Sequence, residues 1–317
     1  MAIAFSDLLQ ALKRCAANLV RPSLATHDRK APSTLVVAEP TPPLEPLRRI
    51  VLADEVSRTL FAEFAQHRQG DRGKEEIGWD LLGLRRGSEA VVLATLPAGT
   101  KRDAGSCHVL FDAETQGFAS RVVRQGHRQL TMLGVVHTHP GSMRHPSSGD
   151  YRGDVQWVAN LRGQEGIFGI GTADGSPDGV SRQPEVHRQC LGELGFSWYA
   201  LGTNDRNYRA MPVEMTPGPD LALALRPIWD ELEYHAARLD CLARQLNRVT
   251  FDVVMGSRKQ ALAMSIPLAD GTRSLRVLME GREIRYLVVT PDGPLAADYR
   301  DDRIDHAVFV LLAELTV

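Results

Sequence analysis

The sequence predicts a mixed α/β (α+β) fold, in which a mixed sheet flanked by helices is followed by a smaller carboxy-terminal α+β unit. Three observations indicate this class. Short β-rich segments alternate with helical periodicities over residues 48–216, one long helical pattern follows Pro219, and further strand patterns then precede a last helix. Hydrophobic residues at 43% and charged residues at 24% of a 317-residue chain are ordinary for a globular protein. That length allows a main domain and an appended unit.

The first 47 residues are predicted to form a short amphipathic helix and a proline-rich linker. Apolar side chains share one helical stripe over residues 5–20, and six prolines between Pro22 and Pro46 make continued helix implausible. The amino-terminal apolar stretch is interrupted by Asp7 and Lys13, so we expect neither a secretory signal nor a transmembrane helix.

Residues 48–216 are predicted to form the main domain, because helical and strand patterns alternate along them. The expected elements in chain order are a helix at 56–68 closed by Gly70, strands at 78–84, 89–96 and 107–111, a helix at 113–125, a strand at 129–136, a helix at 148–161 and a strand at 166–171. Trp157 and Trp198 occupy apolar-periodic positions and are expected in the core.

Residues 217–317 are predicted to form the second unit. Leucines recur at three- and four-residue spacing from Leu221 to Leu246, which indicates one long helix that includes Trp229. Three strands with turns at Asp270-Gly271 and at Gly281 then precede a helix at 306–315. The hypothesis for this unit is recognition of a partner, or dimerisation.

Charge and cysteine content exclude some classes of partner and site. A formal net charge of −2 gives no overall attraction for a phosphate backbone, so we expect no nucleic acid partner, and no membrane partner either. The four cysteines are far apart and form no C-x-x-C pair, which argues against a disulfide scaffold and a thiolate zinc site. The expected location is a reducing cytoplasm.

The candidate metal-binding residues lie in the segment from His137 to Asp150. His137 and His139 stand two residues apart at a predicted strand end, so their imidazoles project from one face and can converge on one ion. Asp150, in the first turn of the next predicted helix, can add a carboxylate. Two nitrogens and one oxygen from protein are typical of catalytic zinc, which keeps a coordination position open.

A hydrolase also needs an acid–base group and an oxyanion donor. Ser147, three residues before Asp150, is placed for the second role, and the pair Glu75-Glu76 before a buried strand offers a carboxylate for the first. Ser147 and Asp150 equally satisfy the S-x-x-D capping signature, so helix capping alone is the competing interpretation for these two residues.

The combined pattern of HxHP, six residues, SxxD and an upstream glutamate before a Gly-ended apolar strand resembles the JAMM (MPN+) zinc metalloproteases. The resemblance covers about residues 48–200. It implies a JAMM/cytidine-deaminase-like mixed sheet, one Zn²⁺ per chain bound by His137, His139 and Asp150, oxyanion stabilisation by Ser147, and the glutamate as general base and acid. The substrates it implies are bonds at the carboxyl terminus of ubiquitin-like proteins, in conjugates or in precursors.

The resemblance is to prokaryotic members, which read E-x-G-G, three apolar residues and glycine. With Gly83 as the last glycine of this motif, the catalytic glutamate is Glu76 and the first glycine of the pair is Gly78. Trp79 replaces the second glycine and Asp80 replaces an apolar residue. These departures leave Glu75 as an alternative for the base. The match is similar to bacterial proteins associated with operons for a ubiquitin-like protein and its E1-like and E2-like enzymes, which implies these as partners and suggests an antiphage role. A noncatalytic MPN-type scaffold, a RadC-like protein and a sulfur-carrier adduct hydrolase are the alternatives.

Overall fold

The computed structural model of the chain describes residues 44–106, 108–175, 185–297 and 299–315. The predicted amino-terminal helix and most of the linker lie outside these ranges. The predicted fold class is confirmed: a large mixed sheet is flanked by helices, and a separate antiparallel sheet unit follows at the carboxy-terminal end.

The strands form one nine-stranded sheet, one five-stranded sheet and a small two-stranded ladder. In chain order they are β1 Arg49–Ala53, β2 Gly78–Arg86, β3 Glu89–Pro97, β4 Asp103–Ala104, β5 Val109–Leu110, β6 Thr131–Thr138, β7 Glu165–Thr172, β8 Arg188–Leu191, β9 Leu194–Gly202, β10 Arg209–Ala210, β11 Val213–Thr216, β12 Thr250–Met255, β13 Gln260–Pro267, β14 Ser274–Glu280, β15 Glu283–Thr290 and β16 Gly293–Ala296.

The large sheet has the order β10-β9-β7-β6-β2-β3-β1-β11, and β8 pairs with β9. Its parallel pairs are β1 with β3 and β11, and β6 with β7, whereas β2 runs antiparallel to both of its neighbours. The small sheet is antiparallel throughout, in the order β12-β13-β14-β15-β16.

Five α-helices lie in the described residues. They are α1 Asp54–Gln69, α2 Ala113–Gly126, α3 Ser148–Trp157, α4 Trp229–Gln245 and α5 Ile304–Leu315. None of them is both long and apolar enough to cross a bilayer.

The centre of the large sheet is covered on both faces. Every residue of β7 is buried, as are all but the last of β9, which is the pattern of a strand with layers above and below it. On one face α1 contributes Phe61, whose ring packs edge-to-face on Phe196 of β9 with centroids 5.0 Å apart. Burial of such a side chain stabilises the fold by roughly 1.5–3 kcal/mol.

The carboxy-terminal unit packs against α2. Phe118 of α2 and Phe251 of β12 make an edge-to-face ring contact at 4.8 Å, and one hydrophobic cluster continues from α2 into the small sheet. At the surface Arg121 of α2 pairs with Asp240 of α4 at 2.8 Å. The second unit therefore supports the helix that also borders the cavity described below.

Several predicted elements were wrong in detail. The long helix begins at Trp229, because Pro227 lacks the backbone N–H that an α-helix needs and lies in the 3₁₀ segment 223–228 before it. Five strands form the small sheet where three were predicted. The helix predicted at 148–161 ends at Trp157, and a 3₁₀ turn spans 158–160.

Candidate metal centre and the cavity beside it

The two histidines lie where β6 ends, buried between neighbouring strands. His137 is 8% exposed and His139 is 5% exposed, and their Nε2 atoms are 3.1 Å apart. The Nδ1 atom of His139 lies 2.7 Å from the carbonyl oxygen of Met143. An Nδ1–H donated to that carbonyl leaves Nε2 with its lone pair free, which is the form that binds a metal.

Asp150 is brought to the histidines by the start of α3. Ser147 is the N-cap residue: its Oγ accepts from the amides of Gly149 and Asp150, each at 3.1 Å, and the Asp150 carboxylate accepts in return from the Ser147 amide. This capping box fixes the carboxylate 3.5 Å from Nε2 of His137 and 3.7 Å from Nε2 of His139.

The three donors fit a zinc ion. Donors bound tetrahedrally to zinc at about 2.0–2.1 Å lie roughly 3.3 Å from one another, and the three separations here, from 3.1 to 3.7 Å, bracket that value. Among the described residues, one group of three or more His, Cys, Asp or Glu side chains could hold a metal ion, and it consists of His137, His139 and Asp150. The structure thus assembles the predicted ligand set.

Glu76 lies beside this group, just before β2. It is 3% exposed, and its segment is held by the bond from the Glu76 amide to the Gly105 carbonyl at 2.7 Å and by Thr138, whose hydroxyl accepts from the Ile77 amide at 3.1 Å. Gly78 follows, and it pairs directly with His137. A Cβ at Gly78 would lie 2.9 Å from the Val136 carbonyl oxygen, so this close approach of strands requires glycine.

Glu75 points elsewhere. Its carboxylate pairs with Arg72 at 2.6 Å, and its side chain is 30% exposed. Of the two predicted candidates, the structure brings Glu76 to the histidines and leaves Glu75 in a surface ion pair. The catalytic assignment of Glu76 stays a prediction.

Burial and the two neighbouring histidines shift the pKa values of Glu76 and Asp150 in opposite directions. Burial raises the pKa of Glu76 above its ordinary value, with His137 and His139 opposing it. Burial also opposes ionisation of Asp150, but its interactions with both histidines and the Ser147 amide outweigh it and hold the pKa of Asp150 well below the usual range. Asp150 is therefore a carboxylate at neutral pH, the form in which it binds metal.

A cavity of about 650 Å³ opens from the metal centre. Its floor is formed by β2 and β6, and its walls by α2 and α3. Among its lining residues are Glu76, His137 and Asp150 at one end and Met132, Arg124 and Trp157 elsewhere. Trp157, predicted in the core, is half-buried: it packs edge-to-face on the buried Phe168 with ring centroids 6.2 Å apart, and it also borders the cavity. Trp198 is fully buried, as predicted.

Two further carboxylates line the cavity. Asp80 on β2 is 7% exposed, and burial raises its pKa to about 7. Asp154 on α3 accepts a hydrogen bond from the Tyr208 hydroxyl at 2.7 Å, and burial raises its pKa to about 6 although that hydrogen bond opposes the shift. Asp154 was not among the predicted site residues, yet its position four residues after Asp150 places both carboxylates on one helix face.

Residues 57–186 match the family model described as prokaryotic homologs of the JAB domain. No curated protein matches the chain. The chain is similar to the solution structure of protein DSY2949 from Desulfitobacterium hafniense, with 17% sequence identity over 54% of this chain and 95% of that chain, and a TM-score of 0.36.

Proposed function

Residues 57–186 are a prokaryotic JAB domain of the JAMM/MPN family, and from this premise we propose that the chain is a zinc-dependent protease. Its proposed reaction is hydrolysis of the amide bond after the carboxyl terminus of a ubiquitin-like protein, in a conjugate or in a precursor. The observation that carries the proposal is the convergence of His137, His139 and Asp150 with Glu76 beside them at the end of one cavity.

The metal-binding residues are His137, His139 and Asp150. When bound by two histidines and a carboxylate, a zinc ion polarises a carbonyl and lowers the pKa of water toward roughly 7.

Glu76 would move the protons. Its carboxylate takes a proton from the attacking water and then delivers it to the nitrogen of the leaving amine, so that one side chain acts as base and later as acid. Burial raises the pKa of Glu76, and this brings its proton affinity closer to what the second step needs at neutral pH. The backbone that carries Glu76 is held by the Gly105 carbonyl and the Thr138 hydroxyl.

Ser147 would stabilise the oxyanion without giving up its capping role. A serine hydroxyl has two acceptor lone pairs and one O–H donor. The amides of Gly149 and Asp150 use the acceptor side of Ser147, so the O–H stays free to donate to the oxygen of the tetrahedral intermediate. Capping and catalysis are therefore compatible interpretations of the same side chain.

A ubiquitin-like substrate is supported by two features. The resemblance to JAMM proteases of bacterial conjugation operons suggests it, together with E1-like and E2-like partners, and the cavity has a shape that an extended chain end could enter. Met132 and His137, five residues apart on β6, both line the cavity, so its floor extends roughly 15 Å along the strand. That length accommodates four or five residues of extended chain.

The proposal is tested with the purified, zinc-loaded full chain and a panel of bacterial ubiquitin-like proteins that carry carboxy-terminal extensions. Mass spectrometry should find cleavage directly after the last residue of the modifier in at least one fusion, with loss of activity on chelation and return of activity on adding zinc. Glu76→Gln is the matched control that keeps the ligand set. Intact fusions throughout, despite bound zinc, would favour the scaffold alternative, and cleavage of small sulfur-carrier adducts alone would favour that hydrolase.

A further inference from the structure

The floor of the cavity contains a carboxyl group, that of Asp80, which has no partner in the described residues. Asp80 stands opposite Val135 on β6, two residues along from the pair formed by Gly78 and His137. At about 3.4 Å per residue this places Asp80 roughly 7 Å along the floor from the metal centre. Its side chain is more than nine-tenths buried and lines the cavity.

Among the buried carboxylates of the described residues, Asp80 and Glu76 have no hydrogen-bond or ion-pair partner, and Glu76 lies at the metal centre, whereas most of the others are paired. Glu165 pairs with Arg85, Asp220 accepts from Thr95, and Glu231 pairs with Lys259. No hydrogen bond or ion pair to the Asp80 carboxylate occurs among the residues that the structure describes, and burial alone accounts for its raised pKa. A buried carboxylate without a partner costs free energy that an apolar residue at this position would avoid.

The space in front of Asp80 is open. Gly117 on α2 and Gly153 on α3 line the two walls, and a Cβ added at either would meet no atom within 4 Å. The face of α3 toward the cavity buries no side chain of that helix. Asp154 adds a second carboxylate from the same wall. Arg124 also lines the cavity, but its side chain is exposed and forms no ion pair with Asp80 in the described chain.

We propose that Asp80 binds an arginine or lysine side chain of the substrate, located within the last few residues before the cleaved bond. This inference rests on the proposed function, because it takes the metal end of the cavity as the place of cleavage. An extended chain whose scissile carbonyl lies at the metal centre passes over Asp80 about two residues earlier. A cation there would provide the charged hydrogen bond that the protein itself does not supply to this carboxylate.

The test measures binding of short product-like peptides to the full chain. The probes are fluorescently labelled decapeptides with a free carboxyl terminus. One peptide has a neutral sequence, and five others each place a single arginine at a different one of its last five positions. A matching set places glutamate at those positions instead. Fluorescence anisotropy should show one arginine peptide binding about tenfold to hundredfold more tightly than the neutral peptide, and the glutamate peptide more weakly.

Asp80→Asn should remove this preference, so that the arginine and neutral peptides bind with equal affinity. Asp252→Asn, a change to an exposed carboxylate on β12, is the matched control and should retain the preference. Equal binding of arginine and neutral peptides, a preference that survives Asp80→Asn, or no binding by any peptide would overturn the inference. Cleavage of fusions without any charge preference would refute the role of Asp80 and leave the proposed function intact. Charge-selective binding without cleavage by the zinc-loaded protein would refute the proposed function and support the binding role of Asp80.

Discussion

Exchanging Glu76 for glutamine should abolish turnover and spare the metal site. Glutamine has nearly the same volume as glutamate, so the buried position can accept it without repacking. The change removes the proton-accepting carboxylate but none of the three groups that converge as metal ligands. Positioned acid–base groups contribute about 10²–10⁴-fold, so we expect kcat to fall about 10³-fold, which equals roughly 4 kcal/mol of transition-state stabilisation.

The matched control is Glu75→Gln. That carboxylate pairs with Arg72 at the surface, and ion pairs of this kind contribute roughly 0–1 kcal/mol to stability. Its loss should leave kcat within about twofold of the parent, since the side chain is directed away from the histidines.

The assay is cleavage of a ubiquitin-like fusion by both variants, with zinc content measured on the same samples. Full activity in Glu76→Gln together with a large loss in Glu75→Gln would refute the assignment of the base. Loss of zinc in Glu76→Gln would refute the separation of acid–base and metal-binding roles. A loss of kcat confined to Glu76→Gln, at constant zinc content, is the predicted result.

Three further predictions concern stability and the capping serine. Ser147→Ala should destabilise the chain by about 1 kcal/mol through loss of the N-cap, and the urea midpoint should fall accordingly. It should also lower kcat by much more than that loss of stability explains, because the oxyanion donor is removed. An unchanged kcat would limit Ser147 to capping. His235 is fully buried, neither of its ring nitrogens has a partner among the described residues, and burial lowers its pKa to about 4. Stability should therefore fall as the pH drops from about 6.5 toward 4, because the unfolded chain binds the proton first. His235→Leu should flatten that pH dependence in urea titrations, and parallel curves for the variant and the parent would contradict this prediction. Glu165→Gln should destabilise the fold by about 3 kcal/mol because it leaves the buried Arg85 guanidinium without its carboxylate; a loss under 1 kcal/mol would mean that the arginine finds another partner.

The parts of the fold that were predicted correctly have a strong local signal. The HxHP spacing placed two imidazoles on one strand face, and the S-x-x-D signature placed Asp150 in the first turn of α3, because both are geometric consequences of short sequence distances. The helix α2 was predicted to within one residue of its observed end. Short-range periodicity was sufficient for these elements.

The structural features that could not be predicted from the sequence depend on contacts between residues far apart in the chain. The short strands β8, β10 and β11 have two to four residues, too few for an alternation pattern to be visible. The hydrophobic cluster that links α2 to the carboxy-terminal sheet depends on residues more than 100 positions apart, such as Phe118 and Phe251. In the site, the unusual Asp80 was visible in the sequence, but its burial in the cavity floor depends on pairing between β2 and β6.

The proposed reaction depends on a catalytic metal bound by His137, His139 and Asp150, and the zinc content of the protein can be measured without a substrate. Elemental analysis of the purified full chain should be run beside His137→Ala, with His127→Ala at an exposed position as the control. We predict about one zinc per chain in the parent and in His127→Ala, and essentially none in His137→Ala. Absence of zinc from the parent even after loading, or zinc that persists in His137→Ala, would show that these residues do not form a zinc site.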